Sequence, residues 1–66
     1  MTPEAARTAH HRKARTHLNL AATYLEGAQG HLRDAGMRQK AGTAERLARE
    51  VGELLAAVPN GEAVRA

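Results

Sequence analysis

A chain of 66 residues with a formal net charge of +3 and no cysteine is one small domain, and it excludes disulfides and thiolate metal sites. Its large apolar residues are seven Leu, three Val, two Met and one Tyr, with no Phe, Trp or Ile. Ala dominates instead. At about 25 cal/mol per Å2, an Ala-lined monomer core buries too little area to offset chain entropy, so self-association is expected.

No apolar run approaches the length of a membrane span, and no apolar segment follows the charged N-terminus as in a secretory signal. The expected location is cytoplasmic, with no membrane partner. Arg outnumbers Lys eight to two and Ser is absent, a bias that fits the coding DNA of a GC-rich bacterium or its phage or plasmid.

Thr2-Pro3-Glu4 reads as an N-cap, a first helical residue and an acid at the positive end of the helix dipole. Ala14, Leu18, Ala21, Leu25, Ala28 and Leu32 then alternate at spacings of four and three, which places them on one stripe of a helix over about 3–33. Leu20 and Tyr24 lie off that stripe. In a chain so short of large apolar groups they mark a second contact surface. Gly27 and Gly30 each cost roughly 1 kcal/mol relative to Ala. A break there would waste the register of Ala28 and Leu32, so a continuous helix is expected, and the glycines reflect either drift in a small protein or close approach of another helix.

Asp34-Ala35-Gly36-Met37 is a stop signal. With Gly36 in the left-handed position after the cap, Leu32 and Met37 become the apolar pair of a Schellman motif. A second ladder follows, in which Met37, Ala44, Val51 and Val58 repeat every seven residues with Leu47 and Leu54 between them. Ala41, Ala48 and Leu55 flank it and widen the apolar face. The spacing predicts a second helix over about 38–58, with Thr43 as an alternative N-cap. Glu45–Arg49, Arg46–Glu50 and Arg49–Glu53 support its exposed side as opposite charges four apart. Pro59 ends it, Asn60-Gly61 is a turn, and 59–66 reads as a flexible tail.

The fold class is all-α: residues 1–58 form an antiparallel two-helix hairpin with its turn at 34–37. Two hairpins packed face to face give a four-helix bundle. Its candidate interface draws on Leu18, Leu20, Ala21, Tyr24, Leu25, Ala28 and Leu32 of the first helix. Leu47, Val51, Leu54, Leu55 and Val58 come from the second.

The charge is concentrated. Residues 1–25 carry four basic groups and one acid, a net of +3, whereas residues 26–66 carry six of each. Arg7, Arg12, Lys13 and Arg15 oppose the positive end of the helix dipole. On the register set by Leu18, the residues Arg12, Lys13, Thr16 and Asn19 face outward. Cations followed by hydroxyl and amide groups on one face suit a phosphate backbone or an acidic protein surface.

His10, His17, Tyr24 and His31 stand seven apart, about 10 Å of axial rise, which is too far for one chain to chelate an ion. Without Ser or Cys, and with one Asp and no Gly-rich phosphate loop, no nucleophile–base pair arises. No catalytic residue, metal, cofactor or small-molecule substrate is expected. The composition and pattern point first to a non-catalytic helical interaction or oligomerisation module. The alternatives are a nucleic-acid-binding module and a docking subunit of a larger phage or plasmid assembly.

Overall fold

The computed structural model describes residues 2–59. Helix α1 spans Pro3–Asp34 and α2 spans Arg38–Ala57, and the two pack against each other as a hairpin with extents of 51 × 17 × 13 Å. Thr2 is extended and its Oγ1 accepts from the Ala5 N–H at 3.1 Å, which satisfies one orphan donor of the first turn. Pro3 follows at a position where no N–H is needed.

α1 ends as its sequence foretells. Gly36 adopts a φ of 79°, the Met37 N–H donates to Leu32 O at 2.9 Å, and the Gly36 N–H donates to Arg33 O at 3.0 Å. Those are the paired bonds of the Schellman motif. The helix runs unbroken through Gly27 and Gly30. A Cβ built on either would meet nothing within 4 Å, so α2 does not approach them closely.

α2 begins at Arg38, with Met37 as a cap that makes no side-chain hydrogen bond. Thr43 is not the cap. It lies inside the helix and its hydroxyl donates to Gln39 O at 3.2 Å. The helix closes at Ala57 because Val58 precedes Pro59 and is forced into extended backbone, at φ −90° and ψ 129°. The turn expected at Asn60-Gly61, and the rest of the tail, lie outside the described residues.

On the α2 side, the most deeply buried residues of the seam are small. Ala41 and Ala44 are buried, and Ala48, Val51, Leu55 and Val58 continue the stripe half-buried. Leu18, Ala21, Ala22, Leu25, Gln29 and Leu32 line it from α1, again half-buried. The second ladder therefore divides differently from the expectation. Ala44, Val51 and Val58 belong to two possible stripes, one completed by Leu47 and Leu54 and the other by Ala41, Ala48 and Leu55. The hairpin uses the second, whose smaller members let the helix axes approach. Leu47 and Leu54 are left exposed, as is Ala28, whose place beside the seam goes to Gln29. Of the three ion pairs expected on α2, Arg46–Glu50 alone closes among the described residues. At 4.0 Å, with both side chains more than half exposed, it stabilises little.

Candidate interaction surfaces

The residues left outside the seam are not scattered evenly. At about 100° per residue, Ala28 and Tyr24 sit about 80–120° to one side of the stripe through Leu18 and Leu25, with the seam residue Ala21 at their inner edge. Arg12, Asn19, Glu26 and Arg33 sit about 60–120° the other way. On α2, Leu47 and Leu54 lie about 70–90° from the seam, with Glu45 and Arg49 on the opposite flank. An antiparallel pair has a local two-fold axis normal to its broad faces, so equal rotations about the two helices reach the same face.

One broad face thus collects Tyr24, Ala28, Leu47 and Leu54, with Ala21 at its edge, and the other collects the charges. Tyr24 is 72% exposed, Leu54 54% and Leu47 44%. Lys40 borders this apolar face at the turn end and Glu50 at its outer edge; no other charged residue of the paired region falls on it. Leu20 (also exposed) lies beyond Tyr24, on the back of α1. Of the sequence-derived interface residues, Leu18, Leu25, Leu32, Val51, Leu55 and Val58 line the seam, Ala28, Tyr24, Leu47 and Leu54 share this outer face, and half-buried Ala21 stands at the edge between the two.

The basic segment forms a second surface. α1 continues for twelve residues before Arg15, about 18 Å beyond the end of α2. Arg7, Arg12 and Lys13 are exposed on that projection. Arg15 is not part of it. Its Nη1 donates to Leu55 O and to Val58 O, both at 2.8 Å, in a half-buried position. α2 has no basic residue in its own last turn, and α1 supplies the cation that its terminal carbonyls and dipole favour.

The sequence held a signal for this contact. Arg15 stands 21 residues before Gly36, and Leu55 and Val58 stand 19 and 22 after it, so a hairpin folded at Gly36 brings them level. Thr16 is also engaged. Its hydroxyl donates to Arg12 O at 3.1 Å, as the Thr23 hydroxyl does to Asn19 O at 3.0 Å, so neither offers a proton to an incoming phosphate in this conformation. Asn19 is exposed on the outward side of α1.

Among the described residues no group of His, Cys, Asp and Glu is placed to hold a metal ion, and no helix is long and apolar enough to cross a membrane. A depression of about 370 Å3 at the turn is lined by Gly36, Met37, Arg38, Gln39 and Lys40. All five are exposed, and none is a nucleophile with an adjacent base. Comparison of the chain with protein-family models, with curated proteins and with solved structures finds no match.

Proposed function

We propose that this chain is a non-catalytic helical interaction module that acts as a self-associated pair of hairpins, joined through the face of Ala21, Tyr24, Ala28, Leu47 and Leu54. One observation carries the reading: side-chain size is inverted. The buried residues are Ala41 and Ala44, while Tyr24, Leu47 and Leu54 are exposed. A domain that ended at its own surface would hide the large groups first. With α2 about 30 Å long and the molecule 17 Å across, covering the whole of this broad face would bury on the order of 500 Å2 per copy, close to the total of about 1,000 Å2 that a specific pair needs. Equilibrium sedimentation at micromolar concentration tests the reading. The expected mass is twice the 7.1 kDa of the chain, and a folded species at 7.1 kDa would overturn it.

The projecting basic segment favours a second reading, in which Arg7, Arg12 and Lys13 contact a phosphate backbone. With Arg15 committed to α2, at most three contacts per chain remain. The log–log dependence of duplex affinity on salt should then be no steeper than about −3 per chain. Binding that ignores salt, or that survives replacement of Arg7 and Lys13 by Ala, removes this reading.

A further inference from the structure

We infer that the two hairpins are related by a two-fold axis running along the helices, so that Leu47 and Leu54 of each enter Ala-lined holes on α1 of the other and both basic segments project from one end of the bundle. This rests on the self-association proposed above and names its geometry. The turn at Gly36 fixes the levels: Leu47 stands eleven residues after it and Leu25 eleven before, Leu54 eighteen after and Leu18 eighteen before. The Arg15 bonds to Leu55 and Val58 hold that register at the far end. An axis along the helices keeps every level unchanged and sets α2 of one copy over α1 of the other.

Leu47 then meets the hole formed by Ala21, Tyr24, Leu25 and Ala28 of the second copy, and Leu54 the hole formed by its Ala14, His17, Leu18 and Ala21. Each hole is a set at i, i+3, i+4 and i+7, the arrangement into which a coiled-coil knob fits. The knobs recur every seven residues, and so do the holes. The alternative axis, perpendicular to the helices, sets α2 against α2 and α1 against α1. Leu47 and Leu54 would then face each other with no small residue opposite them, while Ala21 and Ala28 faced their own copies with Tyr24 at their outer edge. Large against small fills both contacts.

One term opposes this polarity, because it brings together the two segments carrying Arg7, Arg12 and Lys13. They occupy diagonal corners, about 14 Å apart for neighbouring axes at about 10 Å. That exceeds a Debye length of about 8 Å at physiological ionic strength, so the repulsion is largely screened and packing decides.

The chain has no cysteine, so a single nitroxide at Ala5→Cys, an exposed site on the projection, reports the geometry without background. Dipolar electron resonance on the labelled full chain, with its mass measured in parallel, should give a doubled mass and a spin separation of about 15–30 Å. The perpendicular axis places the two labels about 50 Å apart along the bundle. A doubled mass with the long separation overturns the polarity and leaves self-association standing. A single-chain mass with no dipolar coupling overturns both.

Discussion

The seam between α1 and α2 and the outer face beside it are made from opposite ends of the same apolar alphabet. The seam takes Ala41, Ala44 and Ala48 from α2, with Leu55 and two Val, and lets the axes come close. The outer face takes Leu47, Leu54 and Tyr24, all exposed among the described residues. Narrow contact is also fastened at both ends by polar devices, the Schellman bonds at Gly36 and the Arg15 clamp on Leu55 and Val58. The outer face has no such fastening. α2 thus turns its smaller apolar residues toward α1 and leaves its larger Leu47 and Leu54 exposed. The sizes of the residues on each surface, more than their number, reveal which one is internal.

The most damaging way to break that comparison is Leu47→Asp combined with Leu54→Asp. A pair of such chains would bury four carboxylates without partners. Each costs enough that the dissociation constant should rise more than a hundredfold, about 3 kcal/mol or more. Equilibrium sedimentation across a concentration series checks it. The control is Glu45→Gln with Arg49→Gln on the opposite broad face, which should change the constant less than about threefold. Equal losses on both faces would show that association does not use the apolar one.

A smaller effect sharpens the other half of the comparison. Arg15→Ala removes two charge-assisted hydrogen bonds to the terminal carbonyls of α2, a helix with no basic residue in its own last turn. The expected cost is about 1–2 kcal/mol, or roughly 5–15 °C in melting temperature for a domain of this size. Amide exchange should accelerate first near Leu55 and Val58. Arg15→Lys keeps the charge but loses the planar fork, and should recover part of the loss. If Arg15→Ala instead leaves stability untouched and weakens only an anionic partner, the side chain belongs to the basic surface after all.

Much of this architecture was legible in the chain because local chemistry and periodicity agreed. Thr2-Pro3, the pair Leu32 and Met37 around Gly36, and Pro59 each act over a few residues, so their meaning does not depend on what lies across the hairpin. The choice between the two stripes on α2 does depend on it. Leu47 and Ala48 are adjacent in sequence, and which of them turns inward is decided by the distance between axes, a property of both helices together. Arg15 was misplaced for the same reason. Read along α1 it is one more cation in a basic run, and its carbonyl partners are 40 and 43 residues away. Reading α2 for its missing C-terminal cation would have exposed the vacancy that Arg15 fills.

The smallest test uses glycines of two kinds. Gly42 lies inside α2, and a Cβ there would meet nothing within 4 Å, so Gly42→Ala should stabilise the chain by about 0.5–1 kcal/mol through helix propensity alone. Gly36 has equal space, but its φ of 79° belongs to the left-handed region, and Gly36→Ala should cost about 1 kcal/mol. Thermal or urea unfolding reads both signs. Gly42 also points away from the seam and from the outer apolar face, so its replacement should leave the dissociation constant of the folded pair within about threefold. A larger change would mean that the second copy reaches around α2 to its outer side, and the contact would then be wider than the stripe of Leu47 and Leu54.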